Sequence, residues 1–289
     1  MSIPKEIKER SALTKDEWRE YTKTVWSIAN VSHPNHPATF PVEIPRRLTK
    51  MFSFVGETVL DPFGGVGSTA VAALELERRA ELVDQNQSYL DIARQRLKDA
   101  AYDLSEAKLK LGDSRNLDHI KDESIDLIVT SPPYWDKADY GGKESDVGTA
   151  ANYADFLLEM GEVYSECFRV LKPGRKICVV TANVNQMTDH GLLSFPLSSD
   201  TCTILRQLGF VMINEVIWSK DGTGGRWGSA NGQRPIFGSY PYPPNFLFKT
   251  VHEYILVFQK PKLAKSKGAK VRLYDELMTP SPQYREAAE

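Results

Sequence analysis

VLDPFGGVGST, residues Val59–Thr69, is an apolar run that stops at Asp61-Pro62 and passes through Gly64, Gly65 and Gly67 into helix-forming residues. The order reads as strand, tight loop, helix. In a doubly wound sheet such a loop offers backbone N–H groups and a helix N-terminus to a ligand, and glycine lets the backbone approach it closely. Two phosphate-binding patterns fail. No Lys precedes Ser68-Thr69, as a triphosphate loop requires, and Ala70 stands where the dinucleotide spacing calls for a further glycine. The next apolar run ends at Val83-Asp84. Asp84 lies 17 residues beyond Gly67, about where a nucleoside site in this kind of sheet places a carboxylate able to accept from two ribose hydroxyls.

A second apolar run, Ile125–Thr130, is followed by Ser131-Pro132-Pro133-Tyr134. Proline cannot donate to a sheet ladder, so two in succession end the strand and hold Tyr134 in a nearly fixed direction. An aromatic on a stiff tip at the carboxyl edge of a parallel sheet stands where such folds bind ligands.

The pair DPFGGVG and SPPY, each closing an expected strand, resembles the amino-group DNA methyltransferases that use S-adenosyl-L-methionine, over about residues 31–260. The resemblance implies a doubly wound, Rossmann-like α/β sheet, mostly parallel with an antiparallel edge strand, plus a loop-rich target-recognition insert. For the cofactor it implies Thr39, Phe40, Pro41 and Glu43 at the methionine end, in a segment similar to the family's HPxxxPxxL. Asp61, Pro62, Phe63, Gly64, Gly65, Gly67 and Ser68 would form the loop, Asp84 would take the ribose hydroxyls and Asp113 the adenine amino group, with Gln85 and Ser114 also in the cofactor site. Ser131, Pro132, Pro133 and Tyr134 would be the catalytic tip. The glycine loop precedes SPPY here, whereas the common arrangement among close relatives of these motif spellings puts SPPY first. The chain therefore looks like a circular permutation with an unchanged sheet.

The formal net charge of the 289 residues is -2, so any case for a nucleic-acid partner is local. Residues 206–274 carry eleven basic residues against three acidic. Within them the glycine- and proline-rich stretch 221–250 interleaves arginines and aromatics, which suits recognition of double-stranded DNA. Lys220, Arg226, Trp227, Arg234, Tyr240 and Tyr242 are the expected DNA-binding residues. Cys167, Cys178 and Cys202 have no C-x-x-C spacing and none follows a proline, so they read as buried thiols and the Pro-Cys nucleophile of cytosine-C5 enzymes is missing. His33 and His36 flank prolines without further ligands, and no metal is expected. No apolar run approaches the ~20 residues of a membrane span, which with the charged N-terminus implies a cytoplasmic protein.

The expected organisation is an N-terminal helical extension (1–30), a catalytic domain (31–220 and 251–262), the recognition insert (221–250) and a tail (263–289). Apolar spacing at Trp18, Tyr21, Val25 and Ile28 predicts one amphipathic helix over Lys15–Ala29. Residues 135–149 read as a loop closing over the site, and Leu171–Gly174 as a helix stop and turn. A strand over Phe210–Trp218 would pair with His252–Gln259 at the antiparallel edge. In the family, serine at the first position of the tip goes mostly with cytosine N4 methylation and aspartate or asparagine mostly with adenine N6. The expectation is thus an N4-cytosine enzyme of a restriction–modification system, with a partner endonuclease acting on the same site. Adenine N6 is the alternative. An RNA or protein amine methyltransferase and a non-enzymatic nucleic-acid-binding protein are remoter ones.

Overall fold

The computed structural model describes residues 3–30, 40–135, 147, 150, 152–189, 191–220, 239, 241–244, 248 and 250–262. Helices α1 (Lys5–Arg10) and α2 (Lys15–Tyr21) lead into strand β1 (Val25–Ser27). After α3 (Glu43–Phe52) come β2 (Thr58–Asp61), α4 (Ser68–Glu75), β3 (Arg79–Asp84), α5 (Gln87–Asp99), β4 (Ala107–Leu111) and β5 (Ile125–Thr130). The chain continues through α6 (Tyr153–Val170), β6 (Leu171–Thr181), β7 (Val184–Thr188), β8 (Gly191–Phe195), α7 (Leu197–Gln207), β9 (Val211–Ser219) and β10 (His252–Gln259). No helix among the described residues is long and apolar enough to cross a membrane.

Eight strands form one sheet in the order β1-β9-β10-β6-β5-β2-β3-β4, and β7 with β8 makes a separate hairpin. Every residue of β5 is buried, as a parallel strand covered on both faces demands. Alternation along β2 and β5 divides the core. Leu60 and Ile128 join Phe156, Val163 and Leu205 from α6 and α7 on one face. Val59, Leu127 and Val129 join Ile44, Leu48, Ala70 and Leu97 from α3, α4 and α5 on the other. From β2 the chain steps outward to β3 and β4, then crosses back to lay β5 on β2's other side. The strand order therefore reverses between β2 and β5, and the loops that follow these two strands flank the crevice where open α/β sheets bind ligands.

The fold is the expected one, with three corrections. The helix expected over Lys15–Ala29 is the short α2 followed by β1. Val25, Trp26 and Ser27 pair in parallel with Ile217, Trp218 and Ser219, and burial of the Trp26 side chain under that pairing outweighs the helical spacing. The antiparallel strand is interior: β10 lies between β6 and β9, and β1 takes the edge. The turn at Leu171–Gly174 is a bulge inside β6, whose register against β5 jumps between Ile125 and Leu127, with Gly174 at φ 82.

Candidate active site

Asp61 ends β2 fully buried, and its carboxylate is taken up by the protein. One oxygen accepts from the Phe63 N–H at 3.0 Å and the Thr130 hydroxyl at 2.7 Å; the other accepts from the Thr69 hydroxyl at 2.6 Å. It thus joins the glycine loop and the first turn of α4 to the end of β5, one residue before Ser131. Burial pushes its pKa up to about 6 against the bonds from Thr69, Thr130 and Phe63, and the charge of Asp84 adds to the rise. In the folded chain Asp61 holds its proton to about pH 6, while its ordinary value is 3.8. Across that window the unfolded state is ionised and the folded state is not, so stability falls as pH rises and levels off above it. Asp61→Asn lacks this slope. Relative to that variant, the natural chain should lose on the order of 2 kcal/mol between about pH 4 and about pH 7. Urea unfolding of both proteins across that range checks it, and parallel pH profiles would remove the claim.

The loop itself is pressed against β3. The Gly64 N–H donates to the Val83 carbonyl at 2.9 Å, and a Cβ at Gly64 would lie 2.8 Å from that of Leu82, so only glycine fits. Gly67 caps α4 in the left-handed conformation, φ 84, with no capping side chain, which leaves the helix N-terminus presented to the crevice. The Ser68 hydroxyl is buried without a hydrogen-bond partner among the described residues, the condition expected of a polar group beside a ligand.

Asp84 ends β3 across from this loop. Its carboxylate accepts the Gly65 N–H at 2.8 Å and the Asn86 N–H at 2.8 Å. A carboxylate has about four acceptor positions, so holding the loop is compatible with accepting ribose hydroxyls. Asp113, beyond β4, accepts from Arg115, which also pairs with Glu159 at 3.2 Å. Burial alone would raise its pKa, but the bonds from Arg115, and one from Gln85, bring it below the usual carboxylate range. The Ser114 hydroxyl donates to the Pro62 carbonyl. Asp61, Phe63, the three glycines, Ser68, Asp84, Gln85, Asp113 and Ser114 therefore meet at the carboxyl ends of β2, β3 and β4. Phe40 and Pro41 lead into α3; Thr39 lies outside the described residues.

At the end of β5, Pro132 and Pro133 are buried while Ser131 and Tyr134 are partly exposed. The Ser131 and Tyr134 oxygens lie 3.4 Å apart, and the Tyr134 hydroxyl donates to Glu253 Oε2 at 2.9 Å. Trp135 braces the tip from behind, edge-on to Phe195 of β8 at 4.9 Å and tilted on Tyr153 at 5.2 Å. Glu253, near the start of β10, was not foreseen from sequence. Its one signal is a charged residue heading an apolar strand. The Lys220 ammonium donates to its other oxygen and sits over the Trp218 ring at 4.3 Å. Lys220, expected to face DNA, has its ammonium held by Glu253 and Trp218, and its backbone N–H donates to the Val251 carbonyl at 2.8 Å. Tyr242 is 75% exposed. Arg226, Trp227, Arg234, Tyr240 and most of the 135–149 loop lie outside the described residues. Burial pushes the Cys178 thiol up to about 12 and Cys202 to about 11, which leaves neither suited to act as a nucleophile at neutral pH.

The N6_N4_Mtase family model, described as DNA methylase, matches residues 1–95 and 125–286. The chain belongs to this family. Its cofactor is S-adenosyl-L-methionine, and the glycine turn, the orphaned Ser68 hydroxyl and the Asp84 carboxylate fit that group. The chain is 48% identical over 75 residues to the type II methyltransferase M.MjaI of Methanocaldococcus jannaschii, covering 24% of this chain and 25% of that protein. It is 27% identical over 159 residues to the type II methyltransferase M.MthZI of Methanothermobacter thermautotrophicus, covering 51% and 42%. The chain thus spans less than half the length of these curated relatives. Among solved structures, an S-adenosylmethionine-dependent methyltransferase from Methanosarcina mazei aligns with 74% of this chain and 97% of its own at 12% identity and a TM-score of 0.49.

Proposed function

We propose that this DNA methylase transfers a methyl group from S-adenosyl-L-methionine to the exocyclic N4 amine of a cytosine turned out of double-stranded DNA, at a specific sequence. The observation that carries the reading is the placement of Ser131 and Tyr134 at the end of β5, tied through Thr130 and Asp61 to the glycine loop. Bound there, the cofactor supplies an electrophilic methyl. The remaining work falls to the chain. A ring amine is a poor nucleophile because its lone pair is delocalised, and accepting hydrogen bonds from its N–H groups favours the pyramidal form whose lone pair can attack. The Ser131 hydroxyl and the Pro132 carbonyl are the acceptors, and the Tyr134 ring is the surface on which the extruded base stacks. No general base is required, since the nitrogen is acidic once methylated. Asp84 and Gln85 would hold the ribose, Asp113 and Ser114 the adenine end, and residues 39–41 the methionine end.

Serine at the tip favours cytosine through the family correlation, and a hydroxyl, being a shorter acceptor than a carboxylate, suits the smaller ring of a pyrimidine. Residues 221–250, with Arg226, Trp227, Arg234, Tyr240 and Tyr242, would read the duplex. The relatives' names as type II methyltransferases support a restriction–modification setting with an endonuclease for the same site. Incubation with labelled cofactor and mixed-sequence DNA, followed by digestion to nucleosides and mass analysis, should place the label on deoxycytidine. Label on deoxyadenosine alone would transfer the assignment to adenine N6.

A further inference from the structure

We propose that Glu253 is a positioning residue that sets the direction of the hydrogen-bond chain Glu253–Tyr134–Ser131, so that Ser131 turns its lone pairs, not its proton, toward the substrate amine. The inference rests on the amine-methylation reading above and deepens it.

The direction follows from donor counting. The side chains of Glu253 and Lys220 are 14% and 12% exposed, and a carboxylate so enclosed is kept ionised by a bonded cation. Lys220 is that cation, and it is itself steadied over Trp218 at 4.3 Å. An ionised carboxylate only accepts, so in the 2.9 Å contact the single phenolic proton of Tyr134 is committed to Glu253. In the 3.4 Å contact between Tyr134 and Ser131 either oxygen could be donor by geometry alone. With the phenolic proton spent on Glu253, a hydrogen bond across that contact has the Ser131 hydroxyl as its donor. Its lone pairs are then left for an incoming N–H, which is what activation of an amine requires. Reversed, the same serine would aim a proton at the nitrogen that has to attack. The same bonds join the tip to the paired ends of β9 and β10, where Glu253 lies opposite Trp218.

Glu253→Gln keeps the shape and reverses the polarity, since its amide can donate to Tyr134 and release the phenolic proton toward Ser131. It should lower kcat roughly ten- to a hundredfold with cofactor affinity and melting temperature close to those of the natural chain. Introduced into Tyr134→Phe, where the chain is already broken, it should cost nothing further. Multiplying effects, or an unchanged kcat in Glu253→Gln, would overturn the proposal. A second measurement needs no methyl transfer. In protein labelled with 3-fluorotyrosine, the Tyr134 resonance, assigned by its loss in Tyr134→Phe, should titrate at lower pH in Glu253→Gln, because a neighbouring carboxylate disfavours the phenolate. An unchanged titration would refute the Glu253–Tyr134 bond. If the natural chain labels no DNA nucleoside, the amine-methylation reading fails by itself and the fluorotyrosine titration still decides this one.

Discussion

Asp84→Ala should lose affinity for S-adenosyl-L-methionine by about a hundredfold or more, the effect of removing two hydrogen bonds to a charged acceptor worth roughly 1.5 to 3 kcal/mol each. The structure adds a second source of loss. The same carboxylate holds the Gly65 N–H at 2.8 Å, so the variant gives up the ribose acceptors and loosens the loop that faces the ligand. The sheet itself should survive, because the β3 pairings to β2 and β4 do not involve this side chain. Calorimetry of cofactor binding, with circular dichroism as the control for folding, tests the claim; an affinity equal to that of the natural chain would remove Asp84 from the site.

Tyr134→Ala should do the converse. Loss of a stacking surface costs about 1 to 3 kcal/mol at the base, roughly ten- to a hundredfold in turnover, and nothing at the cofactor. Single-turnover rates on a duplex, set beside cofactor affinity, separate the two sites. Pro132 and Pro133 are buried and Trp135 anchors the tip against Phe195, so the backbone should keep its path when the ring is removed. Loss of folding would instead identify Tyr134 as a core residue, and full turnover would dismiss it as the platform.

The central elements were legible because their signals are local. A parallel strand covered on both faces is an apolar run, and the turns after β2 and β5 carry glycine and proline chemistry that few other structures need. What escaped depends on distant partners. β1 is a strand only because β9 is there to pair with it, and the Trp218 indole N–H that donates to the Ile28 carbonyl at 2.8 Å belongs to a residue 190 positions away. Read by itself, the same segment has helical spacing. The interior place of β10 is likewise a property of the assembled sheet. The β7–β8 hairpin went unread because its two short strands lack a clean apolar alternation, although Asp189 and Gly191 at their junction are turn residues. At the site, the family motifs placed Asp61 among the cofactor residues, while its burial shows a brace whose donors at positions 63, 69 and 130 come from three segments. Glu253 was invisible because its role is defined by Tyr134, 119 positions off, and Lys220, 33 off.

The first strand also decides how small a folded fragment of this protein can be. Every candidate site residue lies at or beyond Thr39, which invites trimming the chain to that point. Such a cut would leave β9 with a bare edge of N–H and C=O groups, strip the Ile28 carbonyl from Trp218, and take away Trp26 and Tyr21, the two rings that cover the Arg47 guanidinium at 5.2 and 5.0 Å. An open edge of that kind is a template for chain-to-chain pairing. For expression, minimisation or fusion, the indivisible unit therefore begins ahead of the motifs, with the segment that closes the sheet on its far side.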